Sequence, residues 1–168
     1  MFQDQFAFRP TGSTTASLIA LLDKITNLLV TNSYVSVFML DFSKAFDSVR
    51  HSTLLEKAAK LQMPDCAYNW LVDYFEDHAH CTRTPSSTSS FAMINASVIQ
   101  GSALGPAAYA INASDLQPID KTNFLFKFAD DTDLVIPSSN EATKQAELQN
   151  INQWAINNNL LLNHSKSA

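Results

Sequence analysis

Two short apolar segments, residues 123–128 (NFLFKF) and 134–137 (LVIP), flank the run Ala129-Asp130-Asp131-Thr132-Asp133. Each segment has the length and composition of a β-strand, and the run between them has the composition of a turn. Strands joined so closely pair in the antiparallel sense, because a parallel pair needs a crossover of a dozen or more residues. The chain is therefore predicted to contain a hairpin whose connection carries adjacent carboxylates.

The periodicity of the apolar residues predicts the other elements. Residues 34–40 (YVSVFML) are apolar on both faces, which predicts a strand that is covered on both sides and ends at Asp41. Helices are predicted over residues 13–31, 52–62, 66–79, 104–116 and 141–157, a hairpin over residues 81–84 and 91–98, and a strand from residue 160. The inward face of the first helix is predicted to consist of Leu18, Leu21, Leu22, Ile25, Leu28 and Leu29. This order favours an α+β fold in which an antiparallel sheet carries helices on one face.

Composition limits the class of protein. The chain has 168 residues, which is one domain by size, and a formal net charge of -5. It therefore lacks the basic surface of a self-sufficient nucleic-acid binder, although a catalytic core with metal-binding carboxylates is compatible with this charge. Cys66 and Cys81 lack zinc-site spacing and are predicted to be free thiols. The first residues show no signal-peptide pattern and no apolar run is long enough to span a membrane, so we expect an intracellular protein without membrane contact.

The acidic residues at the strand ends are the candidates for chemistry. Taken singly, Asp41 is explained as a cap or turn residue, and Asp130 and Asp131 as a solvated turn. If the strands are neighbours, however, Asp41 and Asp130 project together, and clustered carboxylates repel unless a cation neutralises them. Mg²⁺ is the candidate, because it prefers oxygen ligands and two such ions can align an attacking hydroxyl with a leaving pyrophosphate.

Five segments together resemble one family. DFSKAFDSV (41–49), QGSALGP (100–106) and FADDT (128–132) look like three sequence blocks of the palm of reverse transcriptases from non-LTR (LINE-type) retrotransposons. QFAFRPTGST (5–14) resembles the preceding block of that family, and NLLLNHSK (159–166) the following one. The five segments occur in the family's order and extend over most of the chain.

The resemblance implies an α+β polymerase palm, with an antiparallel sheet backed by helices, plus part of the fingers. Residues 1–33 are expected to be the end of the fingers and residues 34–168 the palm, within a single partial reverse transcriptase domain. The implied reaction is RNA-directed DNA synthesis, in which a primer 3′-OH attacks a dNTP with the aid of two Mg²⁺ ions, for which Mn²⁺ can substitute. The implied partners are an RNA template, a DNA primer, dNTPs and the missing fingers and thumb segments. The implied location is the nucleus and cytoplasm, in a retroelement ribonucleoprotein.

The resemblance also assigns catalytic roles. Asp41, Asp130 and Asp131 are the implied metal ligands, together with the backbone carbonyl of Phe42. Lys166 is a candidate proton donor to pyrophosphate; the alternative is an ordinary exposed lysine. The neighbouring acids Asp47 and Asp133 and the four histidines are not expected to bind metal.

Four residues are implied to bind or select the nucleotide. Phe46 occupies the sugar-gate position, where a ring clashes with a ribose 2′-OH, although core packing also explains a phenylalanine there. Gln100 and Gly101 are expected to line the nucleotide pocket, with Gly101 allowing close backbone approach; the alternative is a plain loop before a helix. Arg9 is expected near the template or the nucleotide.

Ala7 stands where the family usually has glycine, so we expect backbone strain of roughly 1–3 kcal/mol if that position needs a positive φ.

Two other functions remain open. The first is a catalytically inactive, truncated retroelement remnant or a non-enzymatic nucleic-acid-associated fragment. The second is an unrelated metal-dependent phosphotransferase, which would have no need of Phe46 or of the Gln100-Gly101 pair.

Overall fold

A computed structural model describes residues 2–167 of the chain. Its helices are α1 (Thr14–Leu29), α2 (Ala45–Ser48), α3 (His51–Ala58), α4 (Asp65–Phe75), α5 (Gly105–Asn112) and α6 (Lys144–Asn157), with a 3-10 helix at Ser138–Thr143. Its strands are β1 (Val35–Leu40), β2 (Phe42–Ser43), β3 (Ala79–His80), β4 (Ala92–Met93), β5 (Phe124–Phe128), β6 (Asp131–Pro137) and β7 (Leu161–Leu162). The predicted α+β class is confirmed.

The principal sheet has β6 at its centre, with β1 and β5 antiparallel on either side. Leu134, Val135 and Ile136 of β6 are fully buried. The prediction that β1 is covered on both faces is wrong, because residues 35–38 are only half-buried and Met39 is 56% exposed. This strand forms an edge of the principal sheet, and Met39 lines an open cavity next to it.

The hydrophobic core joins the sheet to the central helices. Leu54 of α3, Leu71 and Phe75 of α4, and Tyr109 of α5 belong to one buried cluster with Leu134 of β6. The spacing in the predicted helix 66–79 places Leu71, Tyr74, Phe75 and His78 on one face; Leu71 and Phe75 are buried there, and Tyr74 and His78 are half-buried. This packing fixes the helices behind the strands whose ends carry the acidic residues.

Helix α1 begins as predicted but faces the sheet differently. Ser13 Oγ accepts a hydrogen bond from the backbone N–H of Ala16, as an N-cap does. Leu18, Leu22 and Leu29, predicted to point inward, are each about half exposed, at 55%, 53% and 48%. Apolar residues surround most of this helix, so their spacing alone does not select the face that meets the sheet.

Two smaller differences from the predictions concern the ends of α6 and of the second hairpin. The spacing in the predicted helix 141–157 places Ala142, Leu148, Ile151, Trp154 and Ala155 inward. Ile151 and Ala155 are buried and Leu148 and Trp154 half-buried, whereas Ala142 is exposed, because it lies in the preceding 3-10 helix. The strand predicted over residues 81–84 is wrong, because β4, which lies within the predicted 91–98, pairs with Ala79–His80 directly before that segment. Strand β7 pairs with β2 and forms a second, two-stranded sheet.

Within residues 2–167, none of the helices combines the length and the apolar character that crossing a membrane requires. Cys66 and Cys81 are both free, as predicted.

Candidate active site

The acidic residues predicted to cluster lie at one end of the principal sheet. Asp41 directly follows β1, Asp130 lies in the turn after β5, and Asp131 begins β6. Leu40 pairs with Thr132 in the β1–β6 register, so Asp41, one position further along, lies beside Asp131. The condition for clustering, that the strands are neighbours, is therefore met by β1 and β6, while the metal-binding roles of the three acids stay predictions.

Burial and like charges raise the pKa values of groups in this cluster. Burial raises the pKa of Asp130, and the charges of Asp131 and Asp41 raise it further, whereas its own backbone N–H and Lys166 lower it. Burial also raises the pKa of the Tyr109 phenol, with further contributions from the same three carboxylates. Asp130 therefore retains its proton to a higher pH than an ordinary aspartate does, until a cation neutralises its neighbours.

The donor set fits a hard divalent cation by its chemistry. Among residues 2–167, no group of three or more His, Cys, Asp or Glu side chains is arranged to hold a metal ion. One or two carboxylates are, however, the usual protein contribution to Mg²⁺, which takes its other ligands from substrate phosphates and water. A cation would also relieve the repulsion that Asp41 and Asp131 exert on Asp130.

A cavity of about 390 Å³ opens beside these carboxylates. Its polar lining includes Asp41, Asp131, Asp133 and Lys166. Its other walls come from β1, from the end of β5 and from α1 through Thr14, Ser17, Leu18 and Leu21. Lys166 is exposed, so the structure brings it to the acids while leaving its predicted role as a proton donor open.

Asn163 ties Asp41 to the segment that carries Lys166. Its Nδ2 donates to Asp41 Oδ2 over 2.9 Å, and its backbone N–H donates to the Asp41 carbonyl oxygen over 2.8 Å. Its own carbonyl oxygen accepts from the backbone N–H groups of Lys166 and Ser167 at 3.1 and 3.0 Å. The sequence patterns assign Asn163 no role, although it lies in the segment 159–166 that resembles a family block.

Phe46 packs in an aromatic group next to the acids. Its ring stacks on Tyr109 with the centroids 4.7 Å apart, and Phe8 meets it edge-on at 6.5 Å. Tyr109 is buried, whereas Phe46 is half-buried on α2. Both roles predicted for Phe46, sugar selection and core packing, are compatible with this position, because the ring packs on the core and is still partly accessible.

Gln100 and Gly101 lie in the exposed loop before α5. Gly101 has φ +84, a left-handed conformation that L side chains rarely adopt. A Cβ atom there would meet no described atom within 4 Å, so its own backbone conformation, and not a close approach within the chain, accounts for glycine. The role of this pair in the nucleotide pocket stays a prediction.

Phe42 follows Asp41 directly and is buried. It pairs with Leu162 across the second sheet, and its ring contacts that of Trp154 with the centroids 5.7 Å apart. These contacts hold the backbone next to the acids, and the metal-binding role of the Phe42 carbonyl stays a prediction.

Arg9 is held by the amino-terminal segment. Its Nη1 donates to the carbonyl oxygens of Phe2 and Gln5 at 2.7 and 3.2 Å. It lines a different cavity from the one beside the acids, so its predicted proximity to the nucleotide gains no support from the geometry.

The strain expected at Ala7 falls on the next residue instead, because Phe8 has φ 61 and Ala7 does not have a positive φ.

The sequence profile described as "Reverse transcriptase (RNA-dependent DNA polymerase)" matches residues 1–168. The RNA-directed DNA polymerase from mobile element jockey of Drosophila melanogaster is 31% identical over 98% of this chain. The probable RNA-directed DNA polymerase from transposon BS of the same species is 32% identical over 89% of the chain. The chain spans only 19% and 18% of the lengths of these two relatives.

Solved structures share the fold. Telomerase from Candida tropicalis, in complex with the TWJ fragment of telomeric RNA, superposes on 99% of this chain with a TM-score of 0.76 and 14% identity, and the match covers 30% of that telomerase. The apo form truncated from its C-terminal domain gives a TM-score of 0.74 at 16% identity, over 99% of this chain and 36% of the other. The profile match over the whole chain, the fold and the retrotransposon relatives agree: the chain belongs to the reverse transcriptase family.

Proposed function

We propose that this chain is the catalytic palm, with the end of the fingers, of an RNA-directed DNA polymerase of a non-LTR retrotransposon. The observation that carries the proposal is the convergence of Asp41 with the Asp130-Asp131 turn at one end of the sheet, beside an open cavity. The polymerase names of the retrotransposon relatives support the same reaction. In this proposal, residues 1–33 end the fingers and residues 34–168 form the palm.

The substrates follow from the same proposal. The chain extends a DNA primer with dNTPs on an RNA template, and the RNA in the telomerase complex supports a nucleic-acid template. The net charge of -5 leaves this chain without a basic duplex-binding surface, which supports a role for fingers and thumb segments outside it. We place the enzyme in the nucleus and cytoplasm, in a retroelement ribonucleoprotein.

The proposed metal is Mg²⁺ as two ions, with Mn²⁺ as a substitute. Asp41, Asp130 and Asp131 would hold it, together with the Phe42 carbonyl. When bound, such ions stabilise the negative charge that develops as the primer 3′-OH displaces pyrophosphate from a dNTP. The raised pKa of Asp130 supports this assignment, since it reflects the burial of this carboxyl and, in addition, the charges of Asp131 and Asp41 beside it.

The remaining residues bind, orient and donate protons. Lys166 would donate a proton to the leaving pyrophosphate. It lines the cavity beside Asp41 and Asp131, and its positive charge lowers the pKa of Asp130. Phe46 would exclude a ribose 2′-OH with the exposed part of its ring. Gln100 and Gly101 would contact the incoming nucleotide from the loop before α5, and Arg9 would act near the template.

Primer extension on an RNA template, with Mg²⁺ and dNTPs, tests the proposal by comparing this chain with its Asp130→Asn form. Extension by the parent and not by the variant is expected, because the amide is a poorer metal ligand than the carboxylate. The same pair of sequences placed in a full-length relative provides the control for missing segments. An active Asp130→Asn polymerase there would contradict the assignment, and inactivity of both forms would favour the inactive remnant.

Sugar selection tests Phe46 separately. In a polymerase that carries this segment, Phe46→Val is expected to raise rNTP incorporation relative to dNTP, because the smaller side chain leaves room for the 2′-OH. Single-nucleotide incorporation kinetics with paired dNTP and rNTP substrates measure the ratio. Phe8→Val, which removes a neighbouring ring, is the matched control. An unchanged ratio in Phe46→Val would leave core packing as the role of Phe46.

A further inference from the structure

Gln5 is buried beside the strand that leads to the acidic turn. It is 2% exposed, and it forms an isolated parallel bridge with Lys127 of β5. The bridge consists of a hydrogen bond from the backbone N–H of Phe6 to the Lys127 carbonyl oxygen (2.8 Å) and one from the Lys127 N–H to the Asp4 carbonyl oxygen (2.7 Å). The amino-terminal segment is therefore fixed along β5, 124 residues before the turn in the sequence.

The Gln5 side chain reaches the turn itself. Its Oε1 accepts hydrogen bonds from the backbone N–H groups of Ala7 and Ala129, both over 3.0 Å. Ala129 is the first residue of the turn and immediately precedes Asp130. Gln5 Oε1 thus connects the amino-terminal segment to Ala129, the first residue of the turn that carries the proposed metal ligands.

Ala129 needs such support, because its backbone conformation is unfavourable. Its φ is 59, in the left-handed region, which costs a residue with a Cβ atom about 1–2 kcal/mol. Both favoured two-residue hairpin turns require a positive φ at the first position, where glycine, asparagine or aspartate is usual. Alanine has neither the freedom of glycine nor a side chain that bonds to its own backbone, so the conformation depends on outside contacts such as that of Gln5.

We propose that Gln5 is a positioning residue, which holds Ala129 in its left-handed conformation and thereby directs the Asp130 and Asp131 carboxylates toward the metal. This role rests on the proposed function. The Gln5 Nε2 group is buried and lacks a hydrogen-bond partner among residues 2–167, at a cost of about 1–3 kcal/mol. A glutamine that leaves this group unpaired and still bonds to the turn fits positioning better than stabilisation of the core.

The experiment combines Mn²⁺ affinity with amide exchange in the 168-residue chain. Gln5→Met keeps the length of the side chain and removes the acceptor, so Mn²⁺ affinity is expected to fall about tenfold, as when an outer partner of metal ligands is lost. Exchange of the Ala129 amide is expected to accelerate in the same variant. Gln5→Glu keeps an acceptor oxygen, and its affinity for Mn²⁺ is expected to equal or exceed that of the parent.

Asn123→Leu is the matched control. Asn123 is buried at the other end of the same strand segment, where its Nδ2 donates to Thr143 and Glu147, so its loss destabilises the fold without touching the turn. Unchanged Mn²⁺ affinity in Gln5→Met, or an equal loss in Asn123→Leu, overturns the positioning role. If Gln5→Met does not fold, an unprotected Ala129 amide in the parent overturns it and a protected one supports it. A parent chain that binds no Mn²⁺ overturns the metal assignment of the proposed function, while Ala129 exchange still reports whether Gln5 holds the turn.

Discussion

Two acids, Glu147 and Asp130, are buried to different extents and have opposite surroundings. Glu147, in the first turn of α6, is fully buried. Its carboxylate accepts hydrogen bonds from the backbone N–H groups of Ile119 and Asp120 and from Asn123 Nδ2, at distances of 2.8–2.9 Å. The donors and the N-terminus of α6 compensate the charge, and the hydrogen bonds connect α6 to residues 119–123.

Asp130 is surrounded by like charges instead. Asp131 and Asp41 raise its pKa in addition to burial, and only its own backbone N–H and the exposed Lys166 oppose them. Folding brings this carboxylate into an unfavourable environment that an external cation would relieve. Glu147 is therefore compensated by the protein, whereas Asp130 is surrounded by like charges that few groups of the protein offset.

Removing the compensated acid is expected to have the largest effect. Glu147→Leu removes the carboxylate acceptor from one buried and two partly buried N–H donors, so the free energy of unfolding is expected to fall by roughly 3 kcal/mol. Urea denaturation at pH 7 measures the loss, with Glu76→Leu at an exposed position as the control. A loss no larger than that of the control would show that Glu147 contributes nothing as a buried acceptor and that its charge is not compensated in a way that stabilises the fold.

Replacing Asp130 is expected to stabilise the fold in the absence of metal, in contrast to the replacement of Glu147. The folded-state pKa of Asp130 is raised, mainly by burial, so the stability that the protonated carboxyl provides is lost as pH rises and the carboxyl ionises. Without metal, Asp130→Asn is therefore expected to stabilise the chain by on the order of 1 kcal/mol, or about 2–4 °C in Tm. The parent is expected to gain stability on addition of Mg²⁺ and the variant to lose this gain.

Thermal unfolding in EDTA and in Mg²⁺ measures both quantities. Asp73→Asn, at an exposed position on α4, is the control and is expected to leave the response to Mg²⁺ unchanged. A destabilised Asp130→Asn chain in EDTA would show that Asp130, like Glu147, serves the fold. The two classes of acid would then no longer be distinct.

The sequence predicts the acid cluster because its signal is local. Apolar segments before Asp41 and on both sides of Asp130 mark strands, and strand pairing brings their ends together. The five longer helices follow from apolar spacing in the same way, apart from the orientation of α1, whereas the four-residue helix α2 is too short to be predicted by spacing. There the surplus of leucines, including Leu18 and Leu22, offers several equivalent faces, and only packing on the sheet selects one.

The polar residues that connect distant parts of the chain have no local signal. Gln5 reaches Ala129 across 124 positions, and Asn163 reaches Asp41 across 122. Glu147 looks like a solvated helix residue, because a carboxylate in a helical pattern is usually exposed. Each is a polar residue whose partner lies far away in the sequence, so its role depends on the tertiary structure and not on periodicity.

His51 is intermediate between Glu147 and Asp130, because only one of its two ring nitrogens has a hydrogen-bond partner among residues 2–167. Its Nε2 hydrogen-bonds to the Ser97 carbonyl oxygen over 2.9 Å, while its buried Nδ1 lacks a partner among residues 2–167. Burial lowers its pKa and the charge of His78 lowers it further, against the raising effect of the Ser97 contact. The unfolded chain, with a pKa near 6.5, therefore takes up this proton first as pH falls.

Stability is accordingly expected to decline as pH falls below about 6.5, by at most about 1 kcal/mol, the smallest of these effects. Urea denaturation at pH 7.5 and 5.5 measures the decline, and His51→Gln, which cannot titrate, is expected to reduce it. Asp130 has the opposite sign, because its raised pKa makes the folded chain bind its proton first, so only the difference between parent and variant isolates the histidine. Equal declines in the two chains would show that the unpaired Nδ1 accommodates a proton without loss. His51 would then belong with Glu147 among the compensated groups.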